Sequence, residues 1–179
     1  ETNKTLYKLN GTTASTSDIK DIISDLGTFN AQNGILLYLD EIQYLNKKQQ
    51  QTLLEFIETG KITLIASTTE NPYFYVYNAI LSRCTVFEFK SVESEEIKKA
   101  VKRAFTVYSR EINKNISLDE NVLDYISTAC SGDVRKAINT VELATISSLN
   151  EKDNIKINID TVKQIAEKNV LNHDKSGDS

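Results

Sequence analysis

The sequence predicts an α/β unit with a mainly parallel sheet, followed by a small helical bundle. Strand-like and helix-like segments alternate up to about Phe89, which is the pattern of βαβ units. Residues 35–39 form an unbroken apolar run, as in a strand buried on both faces, and the run ends at the adjacent acids Asp40 and Glu41. After Lys90 the strand-like patterns stop and helical periodicity takes over.

Four segments in the first half of the chain have the composition of strands: residues 5–9, 35–39, 62–66 and 85–89. Helices are expected between them. One begins near Ser17, and another follows Asn46, which has the capping-box spacing with Gln49. Gly60 suits the end of this second helix. A polar turn is expected at residues 67–72, and a short helix at residues 77–81.

The sequence of the second half predicts a bundle of helices and no strand. The first helix opens at Ser94, and the second follows an S-x-x-E capping sequence formed by Ser117 and Glu120. The third begins at Gly132-Asp133, and a fourth is expected over residues 161–168. The boundary between the two halves is placed at residues 89–93, and the polar residues 172–179 are expected to fray.

Composition and charge argue against two classes of protein. The formal net charge is -4, so the chain does not coat nucleic acid by bulk charge, although a local basic patch is compatible with it. No apolar stretch approaches the roughly 18 residues of a membrane span, and no membrane partner is expected. One helix carries four basic residues on its polar face, and a solvated surface is favoured there over DNA contact: Lys98, Lys99, Lys102 and Arg103.

The adjacent acids Asp40 and Glu41 are the first candidates for chemistry. In parallel sheets, ligands lie beyond the carboxyl ends of the strands. Two carboxylates at that place suit Mg²⁺ binding and the activation of a water molecule, as in a nucleoside triphosphatase. The pattern also fits a core strand followed by a solvated turn.

Four motifs occur in order along the chain. Residues 37–50 resemble a Walker B segment with the helix after it, residues 58–72 a sensor-1 strand and its turn, residues 81–84 an SRC arginine-finger motif, and residues 131–137 a sensor-2 lid helix. Together they resemble the AAA+ ATPases, and specifically the replication-associated recombination protein A (MgsA) family, whose eukaryotic counterpart is the Werner helicase-interacting protein. The Thr-Thr-Glu-Asn-Pro turn is the narrower signal within this group.

The resemblance implies roles for the residues around the acidic pair. Asp40 would hold Mg²⁺, and Glu41 would orient and polarise the attacking water. Thr68 or Thr69 would hydrogen-bond near the γ-phosphate and that water, because a hydroxyl both donates and accepts. Thr68 is slightly favoured.

Two arginines complete the implied site. Arg83 would reach the ATP of a neighbouring subunit, and Arg135 would reach the γ-phosphate in its own subunit. The alternative for Arg83 is a surface ion pair, and the alternative for Arg135 is a solvated residue on the lid.

The phosphate-binding motif GxxxxGK[ST] does not occur in the chain. Family members carry this loop, and the central strand that bears it, before the strand corresponding to residues 5–9. We therefore expect a piece of a longer protein that by itself hydrolyses no ATP at a meaningful rate. Residues 173–178 resemble the opening of a C-terminal oligomerisation domain through which family members form tetramers.

The resemblance divides the chain into three parts. Residues 1–90 would be the later part of an AAA+ core with a partial P-loop sheet, residues 91–169 a small all-α lid, and residues 170–179 the start of the oligomerisation region.

The parent protein implied by the resemblance would be a DNA-dependent ATPase, cytoplasmic and nucleoid-associated, that acts in replication-fork maintenance, recombination and repair. Its cofactors would be ATP and Mg²⁺. Its partners would be single-stranded or forked DNA, single-strand DNA-binding protein and neighbouring subunits of a homotetramer. Three alternatives stay open: a clamp-loader subunit, a Holliday-junction branch-migration ATPase and an ATP-inactive scaffold.

Overall fold

A computed structural model describes residues 2–149 and 153–176, with side chains as far as Lys168. The chain forms two compact units, of which the first ends at Glu88 and the second begins at Phe89. None of the described helices combines the length and the apolar composition that crossing a membrane requires.

A parallel three-stranded sheet, in the order β1-β2-β3, is the centre of the first unit. Its strands are β1 (Thr5–Asn10), β2 (Ile35–Asp40) and β3 (Ile62–Ala66). The strand predicted from the apolar run is confirmed as the middle strand β2, which buries Ile35, Leu37 and Leu39 completely on one face. The expected burial of both faces is wrong, because Tyr38 on the other face is 37% exposed. Helix α1 (Thr16–Ser24) connects β1 to β2, and helix α2 (Lys47–Glu58) connects β2 to β3.

Side-chain caps define where the two connecting helices begin. The predicted capping box of Asn46 and Gln49 at the start of α2 is confirmed. Helix α1 begins slightly earlier than predicted, because Ser15 rather than Ser17 forms a capping box with Asp18. Gly60 follows the end of α2 with a φ of 71°, a left-handed conformation that glycine adopts at little cost.

The predicted strand at residues 85–89 is wrong. These residues form neither helix nor strand, and Phe87 is 77% exposed. Their alternating composition favours a strand only where a neighbouring strand supplies ladder hydrogen bonds, and none does so in the described part of the chain.

Two one-turn helices lie between β3 and this segment. Helix α4 (Asn78–Leu81) corresponds to the predicted short helix. Helix α3 (Pro72–Tyr75) was not predicted; it begins at a proline in the first turn, and Asn71 caps it by accepting a hydrogen bond from the Tyr73 N–H. The turn predicted over residues 67–72 therefore ends in a helix.

The described residues of the second unit form four helices and, against the prediction, two strands. The helices are α5 (Ser94–Glu111), α6 (Val122–Ala129), α7 (Val134–Ser147) and α8 (Ile159–Ser176). The strands β4 (Asn115–Leu118) and β5 (Asn154–Ile157) pair in parallel. The strands were missed because four residues are too few to show the alternation of apolar and polar residues that indicates a strand. Strand β5 nevertheless buries two isoleucines in the core of the second unit.

The ends of these helices match the sequence in part. Asp133 caps α7 as predicted, by accepting a hydrogen bond from the Lys136 N–H. The predicted cap at Ser117 is wrong, because Ser117 lies within β4, and Asn121 begins α6 without a side-chain hydrogen bond. Helix α8 extends beyond the predicted residues 161–168. Residues 177–179 of the predicted oligomerisation segment lie outside the described residues.

Candidate active site

The acidic pair lies at the carboxyl edge of the sheet, where the three parallel strands end together. The β1–β2 register sets Asn10 beside Asp40, and the β2–β3 register sets Leu39 beside Ala66. Ser67, the residue after β3, is therefore brought next to Asp40. The parallel register alone assembles this part of the site.

Ser67 contacts Asp40 with its side chain and fixes the edge with its backbone. Its hydroxyl donates a hydrogen bond to Oδ1 of Asp40. Its N–H donates to the Leu39 carbonyl at 3.0 Å, and its carbonyl accepts from the Ile42 N–H at 3.0 Å. The ladder thus continues past the end of β3, and the Asp40 carboxylate is held against that strand.

Glu41 has an unusual backbone conformation. Its φ is 56° and its ψ is 52°, a left-handed conformation that costs a non-glycine residue about 1–3 kcal/mol. The turn ends β2 and carries the next residue, Ile42, into the core, where it is 3% exposed. Strain of this kind persists only where the surrounding structure determines it, as it does at many functional sites.

The Glu41 carboxylate contacts two polar side chains. The amide Nε2 of Gln43 donates a hydrogen bond to Oε2 of Glu41. The Thr69 hydroxyl lies 3.3 Å from the same Oε2 and 3.3 Å from the Gln43 amide nitrogen. Three polar groups from β2, the following turn and the loop after β3 therefore converge on one point.

Thr68 is placed differently from Thr69. Its hydroxyl accepts a hydrogen bond from the Glu70 N–H at 3.0 Å, which is the bonding of a threonine within a turn. In the structure Thr69 is the hydroxyl beside Glu41, although the sequence slightly favoured Thr68 for the catalytic role. Which of the two acts in catalysis stays a prediction.

Gly11 allows the first loop to approach the acidic pair. Its N–H donates to the Asp40 carbonyl at 2.7 Å. A Cβ atom built on Gly11 would lie 2.1 Å from the carbonyl oxygen of Glu41, closer than real Cβ contacts allow. Only glycine fits at this position without moving the Glu41 backbone.

The donor set fits a hydrated magnesium ion. The groups of Asp40, Glu41 and Ser67 are all oxygen donors, the ligands that hard cations prefer. Across the described residues there is no group of three or more His, Cys, Asp or Glu side chains that could hold a metal. Mg²⁺ retains waters and shares its coordination with substrate phosphates, so one or two carboxylates suffice. The Gln43 Oε1 is buried and finds no hydrogen-bond donor among the described groups.

Arg83 lies in the first unit, just after α4. Its Nη1 donates to the Ala79 carbonyl at 2.7 Å and to the Ser82 hydroxyl at 3.1 Å. Its Nη2 forms an ion pair with Glu58, and both side chains are 40% exposed. The surface ion pair that was considered as the alternative is therefore present. The arginine-finger role stays a prediction, because it concerns a contact with a neighbouring subunit.

Arg135 lies in the second unit, in the first turn of α7, and is exposed. A positive charge in the first turn of a helix is unfavourable, because the N-terminal end of the helix dipole is itself positive. Helix stability therefore does not explain an arginine at this position.

Three contributors to the site were missed from the sequence: Ser67, Gln43 and Gly11. The signal for Ser67 was available, because the residue that follows β3 in a parallel sheet must lie beside the end of β2. Gln43 and Gly11 depend on the left-handed turn at Glu41, which no local pattern indicates.

Comparisons with known proteins agree with this architecture. A family model described as "AAA C-terminal domain" matches residues 111–179, and one described as "Sigma-54 interaction domain" matches residues 19–80. The solved structure of a Thermotoga maritima RuvB Holliday junction branch migration motor aligns with a TM-score of 0.66 at 22% identity, covering 92% of this chain and 53% of that one.

Curated relatives have related names. The chain is 37% identical to replication-associated recombination protein A of Bacillus subtilis (strain 168), over 81% of this chain and 35% of that protein. It is 35% identical to ATPase WRNIP1 of Dictyostelium discoideum, over 83% of this chain and 18% of that protein. It is 30% identical to replication-associated recombination protein A of Escherichia coli (strain K12), over 98% of this chain and 40% of that protein. The chain thus spans well under half the length of these relatives.

The chain has the fold of the RuvB motor, with an acidic pair at the carboxyl edge of a parallel sheet and a helical unit after it in sequence. The match to the AAA C-terminal domain and the curated relatives place it in the AAA+ class. Within that class the chain belongs to the replication-associated recombination protein A family. The family predicted from the four motifs is thereby confirmed.

Proposed function

We propose that this chain supplies the water-activating half of an ATP-hydrolysing site in a protein that acts in replication-associated recombination. The observation that supports this most is the cluster at the carboxyl edge, where Glu41 contacts Gln43 and Thr69 while Asp40 contacts Ser67. A solvated turn would have no need of a strained glutamate tied to two neighbouring polar groups.

In this proposal Glu41 orients the attacking water and accepts its proton as the water oxygen bonds to the γ-phosphorus. The bond from that phosphorus to the bridging oxygen of the β-phosphate breaks, and ADP leaves with that oxygen. Thr69 is close enough to Oε2 to donate to the same water or to a γ-phosphate oxygen. Asp40 would hold Mg²⁺ through water, and the ion would supply charge stabilisation to the phosphates. Ser67 keeps the Asp40 carboxylate in place.

The arginines extend the proposal to an oligomer. Arg83 would meet the γ-phosphate bound by a neighbouring subunit, and Arg135 would meet the phosphate of its own subunit from the lid. The planar guanidinium suits both, because it can donate two parallel hydrogen bonds to phosphate oxygens. The division into core (residues 1–90), lid (91–169) and oligomerisation start (170–179) belongs to the same proposal.

The phosphate-binding loop would come from a strand outside this sequence, paired with the outer edge of β3. Among the described residues, β3 pairs only with β2, and its Ile65 is 51% exposed. Without the backbone N–H groups and lysine of such a loop, the nucleotide lacks most of its binding energy. We therefore expect the 179-residue chain alone to be inactive.

DNA dependence, action at replication forks, contact with single-strand DNA-binding protein, a tetrameric state and a cytoplasmic, nucleoid-associated location complete the proposal. These features rest on the family alone. Among the open alternatives, an ATP-inactive scaffold makes the opposite prediction for the experiment that follows.

The test is ATP hydrolysis by the full-length protein and its Glu41→Gln variant. General-base catalysis contributes about 10²–10⁴-fold, so kcat should fall by about that factor while ATP binding persists. Glu70→Gln is a matched control, since this nearby glutamate is exposed and, within the described part of the chain, forms no hydrogen bond with the acidic pair. Equal kcat for wild type and Glu41→Gln, or no hydrolysis by the wild type, contradicts the proposal.

A further inference from the structure

Four large aromatic side chains are exposed in one region of the first unit. Tyr44 is 63% exposed, Tyr73 66%, Phe74 81% and Tyr75 51%. We call these four residues the aromatic surface. Exposed apolar side chains are ordinary when single, whereas several in one region are typical of interaction surfaces.

One buried amide holds the parts of the aromatic surface together. The Nε2 of Gln50, a residue of α2 that is only 2% exposed, donates to the Leu45 carbonyl at 3.0 Å and to the Tyr75 carbonyl at 3.3 Å. Its Oε1 accepts from the Tyr77 N–H at 2.7 Å. The turn that carries Tyr44 and the helix α3 that carries the other three aromatics are therefore fixed side by side.

Positive charge borders the same region. Lys47 and Lys48 open α2, three and four residues after Tyr44, and both are exposed. The Lys47 ammonium lies 5.3 Å from the centre of the Tyr77 ring, which places the charge beside the α3–α4 segment. By contrast, Lys98 and Lys99 on α5 are paired with carboxylates of Asp124 and Glu96.

We propose that the aromatic surface binds single-stranded nucleic acid, with bases stacked on the rings and phosphates near Lys47 and Lys48. Single-strand binding sites combine aromatic side chains with adjacent positive charge. The inference rests on the proposed function only in requiring a DNA-binding parent protein.

The experiment measures binding of fluorescein-labelled oligothymidine to the full-length protein by anisotropy, without nucleotide. The variants are Tyr44→Ala, Tyr75→Ala and the double variant Tyr73→Ala/Phe74→Ala. Stacking is worth about 1 kcal/mol or more per base, so each variant should raise Kd at least about fivefold. Tyr44→Phe should bind like the wild type, because the ring remains.

Two further variants sharpen the result. Phe29→Ala removes another aromatic, 85% exposed, from elsewhere in the first unit and should leave Kd unchanged. Lys47→Ala/Lys48→Ala should lower the slope of log K against log salt by about 1.4, since each phosphate contact to a single strand contributes about 0.7.

Three outcomes overturn the inference. If the aromatic variants bind oligothymidine like the wild type, the aromatic surface is not the site, and the proposed ATPase function stands untouched. If they lose binding only because the oligomer dissociates in size-exclusion chromatography, the surface is an interface between copies. If the wild type itself does not bind oligothymidine, the inference fails together with the DNA dependence of the proposed function.

Discussion

The Thr69 hydroxyl lies 3.3 Å from Oε2 of Glu41, whereas the Thr68 hydroxyl accepts a hydrogen bond from the backbone of Glu70. Two adjacent threonines thus have different environments, and only Thr69 lies near the proposed attacking water. The difference can be tested directly, because valine has almost the shape of threonine without its hydroxyl.

Thr69→Val should reduce kcat for ATP hydrolysis by the full-length protein about 10- to 100-fold. The physical reason is the loss of a hydroxyl that donates to the reacting groups, and removal of one such donor costs about this much or more in other enzymes. Steady-state hydrolysis assays measure it.

Thr68→Val is the matched control and should change kcat less than about threefold, because its turn hydrogen bond is worth about 1 kcal/mol or less of stability. A larger effect from Thr68→Val than from Thr69→Val would assign the catalytic hydroxyl to Thr68.

Gly11→Ala should displace Glu41 and lower both stability and kcat. The added Cβ would meet the Glu41 carbonyl oxygen at 2.1 Å, and such overpacking costs about 1–3 kcal/mol. Urea denaturation measures the free energy of unfolding, and hydrolysis assays measure kcat.

Gly60→Ala is the control. It should cost about 1–2 kcal/mol of stability because the φ of Gly60 is 71°, yet the added Cβ would meet no neighbouring atom, so kcat should stay unchanged. Equal kcat in the two variants would show that Gly11 matters for stability alone.

Arg83→Ala should lower kcat about 10³-fold in the oligomer with little change in melting temperature. An arginine supplied to a neighbouring site has about this value, whereas an exposed ion pair is worth about 0–1 kcal/mol. Glu58→Gln breaks the same ion pair but keeps the guanidinium, so its kcat should stay within a few-fold of the wild type. If both variants lose activity equally, the ion pair with Glu58 is the whole role of Arg83.

Asp119 should make the second unit sensitive to acid. Its pKa is lowered from 3.8, first by the hydrogen bond with the Lys156 ammonium and then by that from the Ile159 N–H, which approaches at 3.2 Å. Because the folded carboxyl has the lower pKa, its stabilising contribution is complete above about pH 3.8. The contribution disappears as the pH falls through the lowered pKa of the folded state.

Asp119→Asn should therefore lower the urea midpoint at pH 7, and the two midpoints should converge as the pH falls below 3.8. Asp153→Asn, which removes an exposed carboxylate from the same unit, controls for overall charge. If the difference between the urea midpoints of Asp119→Asn and wild type stays constant with pH, the ionised carboxylate of Asp119 does not stabilise the second unit.

Sequence patterns predicted the parts of the fold that depend on local physics. The buried strand β2 followed from its apolar run, and the caps at Asn46 and Asp133 followed from their side-chain chemistry. Asp40 and Glu41 were singled out as candidates because ligands lie beyond the carboxyl ends of the strands in parallel sheets.

Other features depend on contacts between distant residues. The strand expected at residues 85–89 lacks a neighbour, and β4 with β5 exists only because two four-residue segments, 39 positions apart, meet across the second unit. The left-handed turn at Glu41 is imposed by Ile42 and Ser67, and glutamate gives no sign of it. That turn sets where the Glu41 carboxylate lies relative to the two threonines, so the sequence alone does not distinguish them.

The outer edge of β3 also affects how this chain can be handled. Within the described residues its backbone N–H and C=O groups on that side meet no other strand, and Ile65 and Thr63 beside them are exposed. Such an edge templates the addition of further chains and leads to aggregation when it is left bare. Preparations of the 179-residue chain alone should therefore precipitate with rising concentration. Ala66→Pro should delay this, because the hydrogen bonds of Lys61 and Ser67 to β2 leave the Ala66 N–H on the outer side of β3.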